Sequence, residues 1–158
     1  MPFTRHLAGR YNDRLIILLE LGSVDLKAMV EARLRDHGVK PTPQRMEVGM
    51  LLLASPTHMS ADQILSNLRE HGSRISKATV YNTLNLFSRH GLAREVAVNP
   101  SHLVYDSTTE PHHHFYNIDT GELTDIGRSK IELRHLPKLP PKTEAQEVEV
   151  IVRLRNKR

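Results

Sequence analysis

Three consecutive histidines, His112-His113-His114, are the residues of this chain best suited to hold a metal ion. They open a run, His112 to Ile118, whose composition predicts a β-strand, and on a strand residues two apart share a face. His112 and His114 can therefore offer imidazole nitrogens to one ion while His113 faces the other way. A solvated polyhistidine stretch is the plain alternative, although a run inside the chain is no terminal tag. Imidazole suits zinc, iron, manganese or cobalt, and added carboxylates move the preference toward harder ions. The chain has no cysteine, which excludes disulfides, thiol nucleophiles and any structural zinc held by thiolates.

A second group of residues has another chemistry. Ser76, Lys77, Thr79, Tyr81 and Asn82 fall near the start of a segment whose other face carries Val80, Leu84 and Phe87 and which ends at Gly91. Asparagine can pair bidentately with adenine, a tyrosine ring can touch a thymine methyl, and a lysine at a helix start can neutralise phosphate or reach guanine. Upstream, Lys40 and Arg45 are placed to grip the sugar-phosphate backbone or the minor groove. Most exposed lysines and asparagines are only solvated, so this reading depends on the elements that carry them. The charge agrees with it without proving it: 22 basic against 18 acidic side chains give +4 over 158 residues, which favours a polyanionic partner.

Those elements can be read from periodicity and caps. Leu26, Met29, Val30 and Leu34 recur at helical spacing between Ser23 and His37, and Gly38 closes the helix. Thr42 caps and Pro43 opens a second helix, for which Met46, Met50 and Leu53 form the expected buried stripe. Ser60 and Gln63 make a capping box for a third, with Ile64, Leu65 and Leu68 inside and Gly72 at its end. The segment beginning at Ser76 is the fourth. Leu92 to Val98 and Leu103 to Asp106 are strand-like runs around the turn Asn99-Pro100-Ser101-His102. Helices followed by such a ribbon describe a winged helix.

Beyond Glu110-Pro111 the composition changes. The histidine strand and a second strand, Glu122 to Ile126, flank the turn Asp119-Thr120-Gly121. Arg128 to His135 reads as a short helix, Leu136 to Pro141 as an extended connector, and Val148 to Leu154 as a last strand. The expected fold class is α+β: a winged-helix DNA-binding domain over residues 25–107 and a small α/β dimerisation and sensing domain over residues 108–158. The second unit has little apolar material of its own, so a second copy of the chain is expected to complete its core. Residues 1–24 fit no later pattern and are expected to be a poorly ordered arm. Leu15 to Leu21 is interrupted by Glu20 and falls short of the roughly 20 apolar residues of a membrane span, so no membrane partner and a cytoplasmic location are expected.

The segments Gly38-Val39-Lys40-Pro41-Thr42-Pro43-Gln44-Arg45, His58-Met59-Ser60-Ala61-Asp62 and Ser76-Lys77-Ala78-Thr79-Val80-Tyr81 occur in an order and spacing that resembles the ferric uptake regulator (Fur) superfamily. With the histidine cluster and the Asp-Thr-Gly turn, the resemblance runs from about residue 26 to residue 154. It implies that Tyr81 faces the major groove. Asn82 stands where arginine is usual, and Tyr81-Asn82-Thr83-Leu84 is similar to the iron-responsive Irr branch.

The resemblance further implies a site of His58, Asp106, His112, His114 and Asp125 for divalent iron, manganese or zinc, with aspartates where the best-known members have glutamates. Such a site would join the two halves of the chain and let metal set the angle between the DNA-reading halves of a dimer. A weaker second site is implied at His113 and Glu132, with Pro111 and Val148 standing where histidines are expected and Glu147 and Glu149 beside the latter. Haem, through His112, His113 or His114, is the other implied ligand.

The implied function is a homodimeric, iron-responsive regulator of haem-synthesis and iron-homeostasis genes, a repressor acting on a palindromic AT-rich operator. Two rivals stay open. A metal-independent winged-helix regulator would carry the histidines only as surface residues. A metallo-hydrolase is poorly supported, because no general base stands at a recognisable offset from the cluster and a five-ligand ion leaves no open position for chemistry.

Overall fold

The computed structural model describes residues 23–158; most of the segment expected to be an arm lies outside the described residues, and Ser23 and Val24 already belong to the first helix. The described chain divides into two compact units, the first ending at Thr109 and the second beginning at Glu110. The first unit contains α1 (Ser23–Asp36), α2 (Pro43–Leu52), a two-residue β1 (His58–Met59), α3 (Ala61–Glu70), α4 (Lys77–Arg89), β2 (Arg94–Asn99) and β3 (His102–Asp106).

Local signals set the helix ends. Ser60 Oγ accepts from the Gln63 amide at 3.2 Å while Gln63 Oε1 accepts from the Ser60 amide at 2.8 Å, both halves of the capping box. Thr42 and Ser76 accept in the same way from Arg45 and Thr79, and each such cap is worth about 1 kcal/mol. The ends of α1 and α4 are tied to each other. His37 Nδ1 donates to the His90 carbonyl at 2.9 Å, and His90 Nδ1 donates to the His37 carbonyl at 2.8 Å. The glycines that follow, Gly38 and Gly91, take φ of 73° and 70°, a left-handed turn that glycine adopts without cost and that lets each helix stop there.

The helices enclose a core of Leu34, Val48, Leu51, Leu52, Ile64, Val80, Leu84, Phe87 and Leu92, all essentially without solvent exposure. The buried face of α2 differs from the expected methionine stripe: Val48, Gly49, Leu51 and Leu52 point inward, whereas Met46 and Met50 are half-buried. The cause is a close approach of α1. A Cβ on Gly49 would meet Val30 Cγ1 at 3.0 Å, so the face is marked by a residue too small for a search keyed on large apolar side chains. Met29 of α1 is likewise 45% exposed, while Val30 is fully buried.

β1, β3 and β2 form an antiparallel sheet in that order, with His58 opposite Asp106 and Met59 opposite Tyr105. The sequence gives no hint of β1, which is too short to show alternation. The Arg33 guanidinium donates to the carbonyls of Leu53 at 3.2 Å and Ser107 at 3.1 Å, tying α1 to the end of the wing. Arg33→Ala is therefore expected to destabilise the first unit by about 2 kcal/mol, since hydrogen bonds from charged groups contribute about that much. Urea denaturation checks this, and an unchanged midpoint would mean that water replaces both bonds.

The second unit is a three-stranded sheet of β4 (His113–Asn117), β5 (Leu123–Ile126) and β6 (Ile151–Leu154), in the order β5-β4-β6. β4 runs antiparallel to β5 and parallel to β6. The helix expected over residues 128–135 is only a 3₁₀ turn, Arg128–Lys130. A helix that short needs tertiary packing to persist, and Leu133 and Leu136 are instead 48% and 54% exposed. The last strand is shorter than expected, starting at Ile151.

Candidate metal centre and nucleic-acid interface

Two clusters of metal-competent side chains are built, one in each unit. In the first unit the β1–β3 register places His58 opposite Asp106. Asp106 is fully buried; its Oδ1 accepts from the Thr108 amide at 2.7 Å and its Oδ2 lies 3.5 Å from His58 Nε2. In the second unit the strand expected from His112 begins at His113; His112, just before β4, and His114 on it have ring centroids 4.4 Å apart, and His114 sits in register with Asp125 on β5. His112 Nε2 and His114 Nε2 lie 3.2 and 3.5 Å from the same atom, Asp125 Oδ1.

The other ring nitrogens decide what these atoms can do. His112 Nδ1 bonds the Glu110 carbonyl at 2.7 Å, and His114 Nδ1 bonds Glu149 Oε1 at 2.7 Å. Carbonyl and carboxylate oxygens only accept, so both rings donate from Nδ1 and, when neutral, carry the lone pair on Nε2. Two lone pairs and a carboxylate oxygen then converge, a donor set that a divalent cation can join. Donor atoms about 2.1 Å from an ion lie about 3.0 Å apart at octahedral angles and about 3.4 Å apart at tetrahedral ones. The separations within both clusters fall near these values, so the donor sets fit a divalent ion.

His113 behaves differently. Its Nδ1 accepts from the Val150 amide at 3.2 Å, which leaves the proton on Nε2 and makes the ring a clamp between β4 and the start of β6. Glu132 is 75% exposed and pairs with Arg134 at 3.2 Å, and among the described residues neither joins a group of three ligand-competent side chains. The bond from His114 to Glu149 has no signal in the local sequence, because 35 residues separate the partners.

Of the DNA-reading candidates, Ser76, Lys77, Thr79, Tyr81 and Asn82 lie on α4 or at its cap, and Arg45 lies on α2. Ser76 Oγ and Thr79 Oγ1 are 2.8 Å apart and are engaged with the helix cap. Lys77 Nζ lies 3.1 Å from Asp62 Oδ1 and 5.5 Å from the Tyr81 ring centre. The hydrogen bond with Asp62 holds the Lys77 ammonium above the ordinary lysine range. Tyr81, 36% exposed, borders a hollow that also takes in Asp62, Asn99 and His102 of the wing. Thr79 and Asn82 border a second groove with Gln44 and Arg45 of α2, and Arg45 Nη1 donates to the Lys40 carbonyl at 2.8 Å. Lys40 itself is exposed and outside both grooves. Gln44 was not among the residues expected from sequence. Buried Tyr105 supports this surface from beneath: its hydroxyl donates to Asn85 at 3.4 Å, and burial pushes its pKa up.

Asp62 neutralises Lys77 and would repel a phosphate brought to this surface. Asp62→Asn is expected to strengthen DNA binding several-fold and to steepen the dependence of log affinity on log salt by up to about 0.9, the value of one further phosphate contact. A salt titration checks this; unchanged affinity would mean that Lys77 meets no phosphate.

The first unit is thus a winged helix, and the second is a small three-stranded sheet that bears a histidine–aspartate cluster. The chain belongs to the ferric uptake regulator family, whose model matches residues 36–152. Members of this family are transcriptional regulators, not enzymes. The peroxide-responsive repressor PerR of Staphylococcus saprophyticus is 37% identical over 93 residues, 59% of this chain; the match spans 63% of that relative's length. The ferric uptake regulator of Pseudomonas aeruginosa with manganese has 27% identity and a TM-score of 0.61 over 81% of this chain and 98% of that one. The ferric uptake regulator of Vibrio cholerae, at 22% identity and a TM-score of 0.60 over 80% of this chain and 98% of that one, supports the fold alone.

Proposed function

We propose that the chain is an iron-responsive transcriptional regulator of the Irr type, in which His58, Asp106, His112, His114 and Asp125 together hold one divalent ion. The observation that carries this reading is the pair of Nδ1 bonds that turn two Nε2 lone pairs toward Asp125 Oδ1. Two aspartates beside the imidazoles favour iron or manganese over softer ions. When bound, the cation neutralises its carboxylates and fixes its ligands relative to one another; the residues do the rest. Asp106 and Asp125 would offset the charge of the ion, and α4 would present Tyr81 and Asn82 to base edges with Arg45 on the backbone. A homodimer on a palindromic AT-rich operator matches two-fold symmetry, and a cytoplasmic location belongs to the same reading.

Haem ranks below metal. His112, His113 and His114 are 7%, 4% and 0% exposed, so axial ligation would require the chain around them to open. An oxidant response is the second reading, because the similar staphylococcal protein is named peroxide-responsive. With no cysteine in the chain, such a response would draw on the histidine–aspartate cluster or on a methionine. Fluorescence anisotropy on an AT-rich palindrome at fixed salt, with chelator, Mn(II), Fe(II), haem or peroxide, separates these readings. Metal is expected to tighten binding by about 5–150-fold, the usual range of allosteric coupling. Affinity indifferent to every addition would leave a metal-independent winged-helix regulator.

A further inference from the structure

We propose that Glu149 is a positioning residue of the metal site: by accepting the Nδ1–H hydrogen bond of His114 it fixes that ring so that Nε2 is delivered to the cation. This rests on the metal-site reading above. Glu149 arrives from the far side of the proline-rich connector because β6 pairs in parallel with β4, placing Ile151 opposite His114. The approach is held by the backbone of the next residue. The Val150 amide donates to His113 Nδ1 at 3.2 Å, and the Val150 carbonyl accepts from the His114 amide at 3.0 Å. His114 is fully buried and the Glu149 side chain only 25% exposed, so their bond is largely shielded from water.

The two ligand rings are thereby made unequal. His112 leans on a neutral carbonyl, His114 on a carboxylate, and a carboxylate partner raises the basicity of a histidine ligand and fixes its tautomer. His114 becomes the stronger ligand of the pair. The C-terminal strand, which supplies none of the five proposed ligands, thus acts on the metal through one of them.

The test compares full-length wild type with Glu149→Ala, Glu149→Gln and the ligand control Asp125→Ala. Mn(II) affinity is read by competition with a chelating indicator, and the His114 tautomer by ¹⁵N-histidine NMR on the metal-free proteins. Glu149→Ala is expected to lose about 10–100-fold in affinity and to release His114 from the Nδ1–H form. Glu149→Gln, which keeps an acceptor oxygen, should restore the tautomer and most of the affinity. Wild-type affinity in Glu149→Ala, with Asp125→Ala crippled, would overturn the proposal. So would a Co(II) spectrum showing one fewer ligand in Glu149→Ala, since Glu149 would then be a ligand itself. Wild type that binds no Mn(II) would bring down the metal-site reading, and this proposal with it.

Discussion

His114→Ala is expected to lower Mn(II) affinity by more than about 100-fold, beyond the loss typical of a residue that only supports a ligand, and to leave DNA binding at the level of chelator-treated wild type. The side chain is fully buried, donates to Glu149 at 2.7 Å and faces Asp125 at 3.5 Å. Its removal takes a ligand from the cation and strands Glu149 without its donor. A loss of folding would imitate a loss of sensing, so the thermal midpoint must be followed as well. Metal at about 100 times its dissociation constant stabilises a protein by about 2.7 kcal/mol. Mn(II) should raise the midpoint of wild type and leave that of the variant where the chelated variant already stands. A variant that still responds, with less than about a tenfold loss, would show that the centre does not run through His114.

Phe87→Ala is the second large effect, and it concerns the scaffold. Phe87 lies on the inner face of α4 with no solvent exposure, among the residues that close the helical core. Truncating such a phenylalanine costs about 3–5 kcal/mol in lost transfer and residual cavity, a large part of the 5–15 kcal/mol that holds a typical domain folded. With a urea m-value of about 2 kcal/mol/M, the midpoint should fall by about 2 M. DNA binding should weaken whether or not metal is present. Leu103, 37% exposed on β3, is the contrast: its alanine variant should move the midpoint by less than a quarter as much. Equal effects at the two positions would mean that the core does not lie where the helices place it.

Much of this was legible in the residues because short-range chemistry set it. The Ser60–Gln63 box, the Thr42-Pro43 start and the Ser76 cap each fix a helix end with atoms three residues apart. The alternation that paired His112 with His114 holds for the same reason. What escaped depends on distant approach. The inner face of α2 is set by the passage of Val30 across Gly49. The two-residue β1 exists because β3 pairs with it. The parallel β6 brings Glu149 to His114 across 35 residues. The expected helix after Gly127 is not formed; Leu133 and Leu136 stay about half exposed, and propensity alone does not sustain so short a segment. His58 and Asp106 came only from the family resemblance, and the strand register supplies their physical reason.

The most direct test of the central claim, that one histidine–aspartate centre couples a divalent ion to DNA binding, is the Mn(II) affinity of wild type measured with and without saturating palindromic DNA at one salt concentration. Coupling is reciprocal, so whatever factor metal adds to DNA binding, DNA must add to metal binding. The expected result is a tightening of about 5–150-fold that disappears in His114→Ala. Equal Mn(II) affinity with and without DNA would contradict the account and leave a winged helix whose metal has no say in what it binds.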